Sequence, residues 1–270
     1  MKKKYIFALL ILTLVLILGV IGFRNYKRKN DLEKLRLKRL QSTVNVTIPE
    51  GYNIEEIASK LESLNIINKK EFLHSVDIYK APSYIKKDNK RKHQLEGFLF
   101  PDTYKFMKGE KGEDIIKTML NRFEEVRKEI EDKNKIKIEN KDIDKIMTMA
   151  SVVEKEARVD SERGKVASVF YNRLNKNIKL ESCATVIYAL GYHKDKLLYK
   201  DLKVDSLYNT YLQKGMPVGP ISNPGRKSIE AAVKPDKTNY LYFVSKNDGT
   251  HFFTNDYNEF LKMKKKTQDI

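Results

Sequence analysis

The segment richest in chemical possibility is DIDKIMTMASVVEKEAR, Asp142 to Arg158. Ile143, Met147, Ala150 and Ala157 fall on one helical stripe, joined by Ile146 and Val153. At about 100° per residue, Glu154 points about 20° from Met147, which places a carboxylate on the apolar side. Three readings of that carboxylate stay open. It is a marginal side chain reaching water, an i,i+4 partner of Arg158, or a carboxylic acid. In the last reading, partial burial disfavours the charge and lets the group donate a proton near neutral pH. Glu156, two residues on, faces away from the stripe and reads as solvated.

Other chemistries find little support. The one cysteine, Cys183, excludes an intramolecular disulfide framework and a cysteine-based zinc cage, and the four histidines show no HExxH spacing. Neither GxxxxGK[ST] nor GxGxxG occurs, so the common phosphate cradles are missing. No metal or organic cofactor is expected. A Cys183–His193 or Cys183–His251 pair remains conceivable, but a lone small buried thiol is the commoner condition.

The elements that would carry this segment follow a clear order. Tyr5 to Phe23 is a run without charge, about 28 Å long as a helix against a hydrocarbon core of about 30 Å. It reads as an uncleaved anchor, since no small-x-small cleavage site ends it. Basic residues flank it on both sides, and their count favours a cytoplasmic carboxyl side. The net charge is +17, and about half of the excess precedes residue 44. Such juxtamembrane cations suit anionic lipid, and no zinc-finger or RNP1 pattern supports a nucleic-acid partner.

Residues 24–43 read as a short helical stalk, followed by a strand at Thr43 to Ile48. Asn53 and Glu56 have capping-box spacing ahead of Ile54, Ile57, Ala58 and Leu61. A helix is expected from Lys69 to Tyr79, a polar loop over 83–93, and an extended or edge segment around Pro101. Ile115, Ile116, Met119, Leu120, Phe123, Val126 and Ile130 predict a long amphipathic helix. The Gly/Pro-dense run from Gly215 to Gly225 predicts a long fixed loop, and Tyr240–Val244 with His251–Thr254 predicts a hairpin.

Taken together, LEGFLFPDTY (95–104), ASVVEKEA (150–157), SVFYNRL (168–174) and TVIYAL (185–190) resemble a known family. So do YNTY (208–211), GMPVGPISNPG (215–225) and YLYFVSKNDGTHFF (240–253). The family is the endolytic murein transglycosylases, or YceG-like proteins. The order of the motifs carries the resemblance, which runs from about Val44 to the carboxyl end. Cys183 and Ala184 depart from the Asp-Pro frequent before TVIY in the family, and Val218 replaces a frequent second Pro.

The resemblance implies an α+β protein with a cytoplasmic start at 1–4, a transmembrane helix at 5–23 and a basic stalk at 24–43. A LysM-like βααβ subdomain would occupy 44–95 and a mixed helix/strand catalytic domain 96–270. The implied protein is single-pass, with its amino terminus cytoplasmic and its large domain outside, which opposes the charge count. Long domains cross membranes largely regardless of charge. The implied reaction is non-hydrolytic cleavage of the β-1,4 bond between N-acetylmuramic acid and N-acetylglucosamine in nascent peptidoglycan strands, leaving 1,6-anhydromuramic ends.

Carried onto this chain, the first Glu of VEKE gives Glu154 as the catalytic acid. Tyr188, Asn209, Thr210 and Tyr211 are candidate sugar-binding residues, with tyrosines packing the core as the competing reading. Glu96, Asp102 and the 215–225 loop either shape the cleft or hold two domains together. Implied partners are glycan strands, membrane lipid and peptidoglycan synthases of the penicillin-binding class. The alternative function is a non-catalytic glycan-binding membrane scaffold.

Overall fold

The computed structural model describes residues 16–34, 43–192, 194 and 197–267. Helix α1 covers 16–34, so the end of the apolar run and the start of the basic segment share one helix. The rest of the expected anchor, and stalk residues 35–42, lie outside the described residues. Among the described residues no helix is long and apolar enough to cross a membrane.

Beyond the stalk, strand β1 (Thr43–Thr47) leads to α2 (Ile54–Ser63) and α3 (Lys69–Ile78), and β2 (Thr103–Met107) closes the unit. β1 and β2 pair antiparallel, with Val44 opposite Phe106 and Val46 opposite Tyr104. The strand expected near Pro101 therefore begins just beyond the proline, where every residue can join the ladder. The capping box forms: Asn53 Oδ1 accepts the Glu56 N–H at 2.9 Å, and Glu56 Oε2 accepts the Asn53 N–H at 2.7 Å. Ile54, Ile57, Ala58 and Leu61 are the buried side of α2, as their spacing predicts.

Helix α4 (Gly112–Asn134) buries all seven residues of the predicted stripe. Its Phe123 meets Phe98 edge-to-face at 5.4 Å, one of the contacts that make a single core of the β-α-α-β unit and the helices beyond it. Then come α5 (Asn140–Glu156), α6 (Arg163–Asn175), α7 (Cys183–Leu190) and α8 (Arg226–Val233). The chain ends in the hairpin β3 (Tyr242–Ser245) and β4 (His251–Thr254), with α9 (Tyr257–Thr267) packed on it. The polar loop around residue 91 is tied in by a buried pair: Arg91 binds Asp144 of α5 through two bonds of 2.8 and 2.6 Å. Its Nε also donates to the Val218 carbonyl at 3.0 Å, which fixes the Gly/Pro loop.

Candidate active site

A groove of about 860 Å³ runs between α2 and α7. Asn53, Glu56, Ser59 and Lys60 line one side, Ala184, Ile187 and Tyr188 the other, and Lys155, Glu156 and Arg158 lie at the end of α5. A second cavity of about 500 Å³ opens between α7, the hairpin and α9, with Tyr199, Tyr211, Phe243 and Tyr257 among its lining. Glu156 and Cys183 line both. A carboxylate that borders both clefts is within reach of a ligand in either.

Glu156 is the last residue of α5, and its side chain is tucked against the start of α7. The Ser182 hydroxyl donates to its Oε1, and the Ala184 N–H donates to the same carboxylate. Burial pushes its pKa above the ordinary glutamate value, and these two donors and the charge of His251 pull the other way without cancelling the effect. The sequence expectation of a solvated Glu156 is thus corrected. Helical periodicity describes the face α5 turns to its own core, whereas Glu156 meets a second surface formed by residues 182–184.

The structure seats Glu154 elsewhere. Its side chain is 7% exposed, with Oε1 at 3.3 Å from Arg163 Nη1 and Oε2 accepting the Gly225 N–H at 3.0 Å. It pairs with Arg163 rather than with Arg158, the partner that i,i+4 spacing suggested. Arg163 in turn binds Asp160 and Ser228 at 2.9 and 2.6 Å. The turn at Glu50–Gly51 lies over Glu154, and a Cβ on Gly225 would come within 2.0 Å of the Glu50 carboxyl group. Burial, then the charge of Glu154, raises the Glu50 pKa. Glu154 lines neither cavity.

Asn209 and Thr210 are fully buried (0% exposed). Asn209 Nδ2 donates to the carbonyls of Leu202 and Val204, and its Oδ1 accepts the Tyr211 N–H. Thr210 Oγ1 accepts the Ser182 N–H at 3.0 Å and bonds Thr185 Oγ1 at 2.9 Å. Their polar groups are spent on holding Ser182 and Tyr211, so neither reaches into a cleft. Tyr211 does line the second cavity, its hydroxyl 3.2 Å from Cys183 Sγ. Tyr188 lines the groove with its ring, while its hydroxyl donates to Glu96 Oε2 at 3.0 Å. Asp102 is taken up by Arg122 of α4 at 2.7 Å.

The model of the YceG-like family matches residues 24–266. The chain belongs to this family. A relative from Bacillus subtilis (strain 168), named endolytic murein transglycosylase, is 40% identical over 265 residues, covering 91% of this chain and 72% of the relative. One of the same name from Streptococcus pneumoniae (strain D39) is 30% identical over 273 residues, covering 87% of this chain and 48% of the relative. The chain therefore spans about half of the streptococcal protein. A 2.6 Å crystal structure of a putative YceG-like protein from Listeria monocytogenes superposes with a TM-score of 0.71 at 37% identity, covering 81% of this chain and 75% of that one.

In this YceG-like chain Glu156 is the carboxylate that borders both cavities, and burial raises its pKa. Among the described residues no cluster of His, Cys, Asp and Glu could hold a metal ion. Cys183 is exposed, not the buried thiol that the sequence suggests, and a cysteine–histidine pair is not assembled: desolvation around the sulfur raises its pKa, and His251 Nδ1 is engaged by Glu162 Oε2 at 2.8 Å. His193 lies outside the described residues. A protonated thiol beside a tyrosine hydroxyl is a poor nucleophile.

Proposed function

We propose that this chain is an endolytic murein transglycosylase in which Glu156 serves as both acid and base. The observation that supports this reading is the placement of Glu156 where the two cavities meet, with a pKa raised by burial. Protonated Glu156 gives its proton to the glycosidic oxygen as the bond from that oxygen to C1 of the muramic residue breaks. The resulting carboxylate then takes the proton of the C6 hydroxyl as O6 bonds to C1. No water is consumed, so one carboxyl group suffices, whereas ordinary glycosidases use two. Ser182 and the Ala184 N–H stabilise the carboxylate between these steps.

In this reading Glu154, the acid expected from the family motif, anchors α5 to α6 and α8 through Arg163 and Gly225. Tyr211 and the ring of Tyr188 offer stacking surfaces to sugar, while Asn209 and Thr210 position Ser182. The β-α-α-β unit would serve as a LysM-like glycan holder, and the apolar run from Tyr5 would anchor the chain with its large domain outside, beside lipid and synthases. Mass spectrometry of glycan fragments tests the reading, using the full chain in detergent with uncrosslinked strands. Anhydromuramic ends are expected from wild type and Glu154→Gln but not from Glu156→Gln. Loss of cleavage in Glu154→Gln alone, with its fold intact, would return the acid role to Glu154. Cleavage by neither wild type nor variants would favour the scaffold alternative.

A further inference from the structure

Glu96 is 1% exposed, yet four hydrogen bonds converge on its carboxylate. The Ile54 N–H donates to both oxygens at 3.2 Å, Tyr188 Oη–H donates to Oε2 at 3.0 Å, and Asn223 Nδ2 donates to Oε1 at 3.0 Å. These donors come from three separate pieces of the molecule. Ile54 opens α2, Tyr188 belongs to α7, and Asn223 sits in the Gly/Pro loop. Asn223 extends the tie, since its side chain also bonds the Tyr52 carbonyl and the Leu99 N–H at 2.9 Å each. The neighbouring Gly97 has φ +90°, and a Cβ there would fall 2.5 Å from Pro220, so the loop closes directly on this backbone.

We propose that Glu96 is a positioning residue that sets the width of the glycan groove, by holding the start of α2 and the middle of α7 to one buried carboxylate. α2 forms one side of the groove and α7 the other, and the first turn of α7 also holds Glu156. Movement of α7 away from α2 would therefore displace both the groove wall and the proton donor. A carboxylate accepting several bonds in a dry site is a stiff joint, because releasing any donor leaves a buried polar group unpaired.

The effect on turnover rests on the transglycosylase reading, but the spacing itself is measurable without it. Spin labels at Ser63→Cys and Tyr192→Cys, on opposite sides of the groove and in a Cys183→Ala background, report the distance between α2 and the end of α7. Full-length protein with Glu96 intact should give one narrow distance distribution. Glu96→Ala should broaden it and raise KM for glycan strands at least tenfold with kcat changed less than threefold. Glu96→Gln, which can still accept from Ile54 and Asn223, should restore the narrow distribution and most of the affinity. Tyr188→Phe, a milder loss of one bond, should broaden the distribution less and covers the case in which Glu96→Ala does not fold. An unchanged distribution in both Glu96→Ala and Tyr188→Phe would overturn the proposal, as would broadening in Glu96→Gln equal to that in the alanine variant. Wild type that never cleaves would count against the transglycosylase reading alone, since the distances do not depend on cleavage.

Discussion

Glu154 and Glu156 leave the same last turn of α5 and enter opposite surroundings. Glu154 meets a guanidinium and the N–H that opens α8, beneath the Glu50–Gly51 turn. Glu156 meets a neutral hydroxyl and an N–H at the start of α7, with open space on both sides. An arginine and a backbone N–H occupy both oxygens of Glu154, which leaves that carboxylate no free side for a substrate. Neutral donors hold Glu156 in place while leaving its proton exchangeable, which acid and base work requires. The difference between the two sites is one of partner charge and access, and each can be altered by substitution.

The largest expected effect is on turnover. Glu156→Gln should lower glycan cleavage by about a thousandfold, in the range of a lost general acid and base, with an unchanged melting transition. Glu154→Gln should stay within about tenfold of wild type in the same assay. Its cost should fall on stability, and Arg163→Met should show that more strongly, destabilising by about 3 kcal/mol in urea titration because it leaves Glu154 without its cation. The double variant should recover part of this loss, which would establish the pair as structural.

A smaller effect is expected in the pH dependence of stability, to which Glu96 contributes. Burial pushes Glu96 up to about 7, against the bonds from Ile54 and Tyr188 and the charge of Lys92, with Glu56 adding slightly to the rise. The folded state therefore holds this proton more tightly than the unfolded chain. Its contribution favours folding below the unfolded value of 4.5 and is lost as pH rises through about 7. Comparing wild type with Glu96→Gln by thermal melts at pH 4.5 and pH 8 should show wild type losing up to about 3 kcal/mol relative to the variant. Parallel curves would contradict the assigned cause. The smallest change belongs to Ser182→Ala. Removing a donor to the ionised form of Glu156 should raise its pKa, move the pH–rate profile to higher pH by about one unit and slow cleavage severalfold.

Much of the scaffold is legible in the chain. The stripe of α4 repeats at 3.6-residue spacing, and the Asn53–Glu56 box needs only three residues of separation, so local rules suffice for both. Hairpin β3–β4 announces itself through Asn247, Asp248 and Gly249. The site is less legible because its geometry depends on distant partners. Glu156 is defined by Ser182 and Ala184, and nothing within its own helix marks it. Asn209 and Thr210 look like exposed sugar ligands in the sequence. Only the folding of residues 202–211 against 182–185 shows that their polar groups are consumed internally. Helix α9 carries no fully buried side chain, and its apolar face is completed only by docking on the hairpin.

The pairing of β1 with β2 has a consequence for inheritance and synthesis. The first small unit draws its closing strand from residues 103–107, beyond the FLFP segment that packs into the larger core. A cut after residue 95 would strip β1 of its only ladder partner among the described residues and expose Val46 and Ile48. The unit is therefore not a bead that could be copied into another protein by duplicating its contiguous first half. As the chain emerges amino end first, β1 must wait for some sixty residues to follow before its edge is covered, so any factor that holds the emerging chain would act on this strand before the groove exists.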